Sequence, residues 1–198
     1  MKVGLLGGTF DPIHLGHSQM AKQLLAQTEL DEIWFLPNKI PPHKAQPQAS
    51  FAHRYNMVKL ACTEHSAFKV CSIENELPSP SYTLHTLKAL RTQYPLIKFS
   101  FIIGMDSAQS LPTWHHWRSI FDYCDIIACA RPGWSADELS DDLHPLRANR
   151  RLAIVAINEA DVASNTIRSA IKQGTIANQA LNPSVIRYIN QHRLYIGG

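Results

Sequence analysis

The feature that most narrows the fold is a hydrophobic period that switches repeatedly along the chain. Short apolar, β-branched or aromatic runs recur at Lys2 to Leu6, Glu32 to Leu36, Phe68 to Ser72, Lys98 to Ile103, Ile126 to Cys129 and Leu152 to Ile157. Between them apolar residues fall at helical spacing: Met20, Ala21, Leu24 and Leu25 after the first run, Met57, Val58 and Ala61 after the second, and Leu84, Leu87 and Leu90 ahead of the fourth. Strands that alternate with helices predict a parallel sheet covered on both faces. Ile167 and Ile171, then Val185, Ile186 and Ile189, mark two further helices with no strand between them. The expected architecture is therefore a doubly wound α/β domain over residues 1–198, finished by a small helical subregion over 163–198. No linker is long or polar enough to divide it.

Composition excludes several classes. With 45% hydrophobic and 18% charged residues the chain is too apolar for a disordered protein. Its apolar runs fall far short of the roughly 20 residues that span a bilayer. The segment from Met1 to Gly8 reads as a first strand, because Thr9-Phe10-Asp11 stands where a secretory leader would stay apolar. The net charge of +3 is mild, and Arg147, Arg150 and Arg151 form too short and too aromatic-poor a cluster for a nucleic-acid footprint. Neither a nucleic-acid nor a membrane partner is expected. Cys62, Cys71, Cys124 and Cys129 form no Cys-x-x-Cys pair, so reduced thiols in a cytoplasmic protein are the expectation.

Ligands of open parallel sheets bind beyond the carboxyl ends of the strands, which directs attention to the loops there. The first is Gly7-Gly8-Thr9-Phe10-Asp11-Pro12-Ile13-His14-Leu15-Gly16-His17. Two glycines at a strand end suit a sharp turn or a close ligand. A helix beginning near His17 would offer backbone NH groups to an anion, and His14 and His17 would add imidazole donors for a phosphoryl group. The spacing is neither a dinucleotide fingerprint nor a P-loop. A zinc pair and a plain structural turn are the competing readings; no third ligand lies at zinc-like spacing, so no metal site is expected.

The other loops carry weaker signals. Pro37 to Lys44 is Pro-clamped and presents Lys39, His43 and Lys44, either to phosphates or to solvent. Ser81 reads as a cap for the helix of Leu84. Asp106, in Gly104-Met105-Asp106-Ser107, follows a buried strand, where it needs a polar partner or caps the next helix. In Ala163-Ser164-Asn165-Thr166-Ile167-Arg168, Ser164 can cap a helix that Gly174 stops, with the NH groups of Asn165 to Ile167 pointing outward and Arg168 able to pair with phosphates.

The first loop resembles the His-x-Gly-His signature of the nucleotidyltransferase superfamily. Nearly end to end, the chain resembles the bacterial nicotinate mononucleotide adenylyltransferases, which join nicotinate mononucleotide to ATP and yield deamido-NAD and pyrophosphate in NAD biosynthesis. His14, where the related phosphopantetheine enzymes carry Thr, favours the pyridine-nucleotide branch. The resemblance implies an ATP site at Gly7, Gly8, Thr9, Phe10, His14, His17, Gly104, Asp106, Ser164, Ile167 and Arg168. It implies a nicotinate mononucleotide site at Asn38, Lys44, Ser81, Tyr82, Thr83 and Trp114, with Trp114 stacked on the pyridine ring, and it leaves Trp117 to the core. His14, His17, Lys44 and Arg168 are the implied catalytic residues, with Mg held mainly by substrate phosphates. The chain departs from the family at His115, often Tyr there, and at Ala163 and Asn165, which replace hydroxyl residues. Another acceptor, a non-catalytic nucleotide sensor and a zinc-binding structural protein are the alternatives, and a homo-oligomer is left open.

Overall fold

Each of the six strand-like runs forms a strand: β1 (Lys2–Gly8), β2 (Glu32–Pro37), β3 (Phe68–Val70), β4 (Lys98–Gly104), β5 (Cys124–Ala130) and β6 (Leu152–Ala156). The computed structural model describes residues 1–40, 46–131, 133–134, 139–158, 162–175 and 179–196. The strands pair in parallel, in the order β3-β2-β1-β4-β5-β6. Consecutive residues within a strand enter opposite layers. Leu5, Trp34, Phe101 and Ile126 join one core cluster, while Leu6, Phe35, Ile102 and Ile127 join the other. This two-sided burial is why the strands read as continuous apolar runs and not as alternating ones.

Nine helices follow among the described residues: α1 (Leu15–Gln27), α2 (Phe51–Cys62), α3 (Ile73–Glu76), α4 (Thr83–Gln93), α5 (Met105–Gln109), α6 (Trp117–Ile120), α7 (His144–Ala148), α8 (Ser164–Lys172) and α9 (Pro183–Gln191). Leu87 and Leu90 of α4 cover one face of the sheet; Leu24 of α1 and Met57 of α2 cover the other. The last two helices add Ile167, Val185 and Ile189 to that second layer. Gly174 ends α8 as a Schellman cap. Its φ is +76°, its NH donates to Ile171 O at 2.9 Å, and the Thr175 NH donates to Ala170 O at 2.9 Å. Trp117 lies in the core at 8% exposure, as its sequence position implies. No helix of the described residues is long and apolar enough to cross a membrane. The four cysteines are unpaired thiols, and burial pushes Cys62 and Cys124 up to about 12, which keeps them protonated and inert at neutral pH.

The winding of the sheet reverses between β1 and β4, and there the loops after the two strands splay apart into a crevice. What holds the loops around that crevice is a side chain that carries no obvious signal in the sequence. Arg54 of α2 is 1% exposed and donates to three carbonyls: Thr9 O at 2.7 Å, Ala49 O at 3.2 Å and Lys39 O at 3.2 Å. The loops after β1 and β2 and the entry to α2 thus share one guanidinium. Replacing it by Met, Arg54→Met, keeps much of the volume and strands the three carbonyls. The expected cost is about 3–5 kcal/mol of unfolding free energy, read from urea denaturation.

Candidate active site

The crevice holds a cavity of about 460 Å³. Gly7, Gly8, Thr9 and His17 contribute the wall from the β1 side, and Ile103, Gly104 and Ser107 the wall from the β4 side. Asn38 follows β2, while Glu74, Ser81, Tyr82 and Thr83 approach from α3 and the start of α4, and Trp114 and His115 close the far end. Residues from five separated segments therefore meet in one pocket, at the point where the topology leaves room for a ligand.

The first loop departs from its sequence expectation in its turn. Gly7 and Gly8 still belong to β1, and the left-handed residue is Phe10, at φ +50°. The Phe10 ring fills the space beside Gly8: a Cβ there would lie 2.8 Å from it. Phe10 is 2% exposed and packs against Phe35 and His17, so its side chain serves the core and does not line the cavity. This corrects its assignment to ATP as a side-chain contact.

The two histidines are held as a pair. His14 is the N-cap of α1 and its ring lies 3.8 Å from that of His17, tilted by 32°. The His14 backbone NH donates to His17 Nδ1 at 3.3 Å. Accepting at Nδ1 places the ring proton of neutral His17 on Nε2, a donor suited to a phosphoryl oxygen. The start of α1 is a poorer anion cradle than the sequence suggests. The Leu15 NH is taken by Ala180 O at 2.8 Å and the His17 NH by His14 O at 3.0 Å, which leaves more of the task to the imidazoles.

Several residues singled out in the sequence are placed otherwise than expected. Ser164 does not cap α8; its hydroxyl donates to Pro12 O at 3.0 Å and ties the helix to the first loop. The Ile167 side chain is 3% exposed and its NH donates within the helix to Ala163 O, so neither reaches outward. Arg168 Nη1 donates to Asp11 O at 2.6 Å and stands 3.9 Å from the Asp11 carboxylate, outside the cavity wall. Asp106 is exposed in the first turn of α5, with Gly104 as the N-cap, so it neither caps the helix nor needs a buried partner. Ser81 leaves the N-cap of α4 to Tyr82; its oxygen accepts from the Lys39 NH at 3.3 Å, and its own NH donates to Ile40 O. Lys44 and His43 lie outside the described residues.

The remaining expectations gather in the pocket. Asn38 donates to Thr9 Oγ1 at 3.4 Å, and its NH donates to Gly8 O at 2.9 Å, joining the loops after β1 and β2. Thr83 opens α4 at the cavity wall, where the helix N-terminus favours a negative charge. Trp114 is partly buried, edge-on to Phe101 at 6.3 Å. His115 lies 4.7 Å from the Tyr82 ring, and local desolvation, then His116 and His85, hold it below the ordinary imidazole value.

The chain matches the cytidylyltransferase-like family model over residues 5–170. It is 42% identical to a protein of Shewanella frigidimarina named probable nicotinate-nucleotide adenylyltransferase, over 98% of this chain and 100% of that one. A protein of the same name from Shewanella pealeana is 41% identical over 100% of this chain and 97% of that one. The chain belongs to the nicotinate-nucleotide adenylyltransferases of the cytidylyltransferase-like family. The fold of this adenylyltransferase matches that of Plasmodium falciparum nicotinic acid mononucleotide adenylyltransferase complexed with NaAD, with a TM-score of 0.74 at 19% identity over 98% and 97% of the two chains.

Within this adenylyltransferase site, Asp11, Arg54, Glu74 and Tyr195 are the residues that sequence patterns missed. Each is a polar side chain buried by partners far away in the chain, and only the buried position marks it. His14 shows the electrical consequence of that burial. Its Nδ1 is buried with no hydrogen-bond partner among the described residues, and desolvation pulls its pKa from 6.5 to about 4. The unfolded chain takes up this proton below pH 6.5 and the native protein only near 4, so native stability falls as the pH drops through that window. Between pH 7.5 and pH 5 the ligand-free protein is expected to lose about 2 kcal/mol from this group. Urea denaturation of wild type against His14→Asn checks it: the variant loses correspondingly less, and an NMR titration places the wild-type His14 midpoint near 4.

Proposed function

We infer that the chain transfers the adenylyl group of ATP to nicotinate mononucleotide, releasing pyrophosphate and forming deamido-NAD. The observation that carries this reading is one cavity lined at one end by His17 and the β1 loop and at the other by Thr83 and Trp114. The first end suits phosphoryl chemistry. The second offers a helix start for a carboxylate and an indole for a planar cationic ring.

The nucleophile is the phosphate of the mononucleotide, already an anion, and it attacks the α phosphorus of ATP as pyrophosphate leaves in line. No base and no covalent intermediate are needed, so catalysis consists of positioning and charge stabilisation. His17 directs Nε2–H at an α-phosphoryl oxygen as negative charge builds there. His14, pressed against that ring, gains a proton more readily once a polyphosphate is bound, because the anion offsets the desolvation that holds it neutral. Thr9 and Asn38 shape the floor of the phosphate path. Arg168 and Lys44 are assigned the neutralisation of the outer phosphates, Arg168 by swinging from Asp11. Gly104 backs the nucleotide, and Asp106 takes its ribose at the rim. ATP enters as its Mg complex, the ion coordinated by phosphate oxygens and water, as suits a small cation that dehydrates reluctantly. The cytoplasm, where both nucleotides and reduced thiols occur, is the assigned compartment.

Pyrophosphate release with Mg and ATP tests the acceptor. Nicotinate mononucleotide is expected to exceed the nicotinamide form clearly in kcat/KM at equal concentration; preference for the amide would overturn the assignment of Thr83 and the α4 start to the pyridine carboxylate. His17→Ala is expected to lower kcat by roughly 10²–10³, the usual loss for a transition-state donor. A near-wild-type kcat in a folded variant would remove His17 from that role.

A further inference from the structure

Glu74 lines the cavity and has no part in the mechanism above. It is 9% exposed, at the start of α3. Its Oε1 accepts from Thr86 Oγ1 at 3.0 Å, whereas Oε2 is buried and has no hydrogen-bond partner among the described residues. Asn38 Oδ1, on the same cavity, is likewise buried without a partner. An orphaned buried acceptor is costly, and where it faces a ligand pocket the compensation comes from a donor on the ligand.

We propose that Glu74 is a specificity-determining residue for the acceptor substrate, its Oε2 accepting a hydrogen bond from a ribose hydroxyl of the mononucleotide. The proposal rests on nicotinate mononucleotide being the acceptor, and the chemistry of that molecule selects the contact. Its pyridine carboxylate accepts only, its ring carbons and quaternary nitrogen do neither, and its phosphate is mostly an acceptor above pH 7. The ribose 2′ and 3′ hydroxyls are its only conventional donors. Two orphaned acceptor oxygens on the wall match two vicinal hydroxyls, with Glu74 taking one and Asn38 Oδ1 placed for the other. Thr86 fixes one Glu74 oxygen and thereby aims the second. The Ser81 hydroxyl and the Lys39 backbone also favour the charged form of the carboxyl, against the burial that pushes its pKa up.

The test is steady-state pyrophosphate release at saturating ATP with nicotinate mononucleotide and its 2′-deoxy and 3′-deoxy counterparts, in wild type and in Glu74→Gln. The wild type is expected to lose roughly ten- to hundredfold in kcat/KM on one deoxy acceptor, mostly through KM, as for a hydrogen bond to a charged group. Glu74→Gln should show a similar loss on the ribose substrate, discriminate less than about threefold, and keep its KM for ATP. A variant that retains the full discrimination overturns the proposal. Wild type that uses both deoxy acceptors as well as the ribose one overturns it without any variant, while leaving adenylyl transfer standing. No turnover of any mononucleotide overturns both.

Discussion

A buried ionic knot between the first loop and three later segments holds the site in shape. Asp11, 4% exposed, accepts from the NH groups of Gln48 and Ala49 at 2.8 and 3.1 Å and from the Tyr195 hydroxyl at 2.7 Å. Arg168 holds the carbonyl of the same residue, and Arg54 holds that of Thr9, two residues earlier. A carboxylate taken out of water is tolerable only with its acceptor capacity filled, and here backbone, hydroxyl and guanidinium donors fill it together. Burial, and then the neighbouring Asp11, push the Tyr195 phenol up, so it stays a donor across the physiological range. Losing any one partner leaves charge or carbonyls unpaired in the interior, and the loop that carries His14 and His17 would move with them.

This constraint suits the chemistry assigned to the site. Adenylyl transfer between an anionic nucleophile and a triphosphate asks little of a protein except that donors stand still where charge will develop. His17 meets that demand through a backbone NH that settles its tautomer, and His14 through a ring pressed against it. The low pKa of His14 is the cost of excluding water before substrate arrives. An incoming phosphate lowers that cost, so the imidazole pair is tuned to respond to the anion it is built to meet. The acceptor end of the cavity is arranged in the opposite sense, with oxygens of Glu74 and Asn38 awaiting donors. One pocket thus presents donors to phosphate and acceptors to sugar.

Much of the fold was legible in the chain. The six apolar runs became the six strands, because residues buried on both faces of a parallel sheet must be apolar at consecutive positions. Leu84, Leu87 and Leu90, Ile167 and Ile171, and Val185 and Ile189 marked α4, α8 and α9 through their spacing. The loops that line the cavity were also foreseeable, since the ends of parallel strands are where such folds bind ligands. The uses of individual polar groups were not. Ser164 and Ser81 read as helix caps, yet one holds Pro12 and the other Lys39. Phe10 sits in a glycine-rich loop, yet its ring is core, and Arg168, read as a phosphate partner, is turned to Asp11.

The difference is one of range. Hydrophobic period and turn composition are local properties, governed by which faces of a strand or helix must leave water, and the sequence by itself determined the order of strands and helices and the position of the His14–His17 loop. The partner of a buried polar group is chosen by whatever the fold brings near it. Tyr195 reaches Asp11 across 184 residues, and Ser164 reaches Pro12 across 152. Only the tertiary structure decided those pairings, because desolvation forces each polar group to find a partner, and sequence distance does not enter the energy of the bond once the chain has folded.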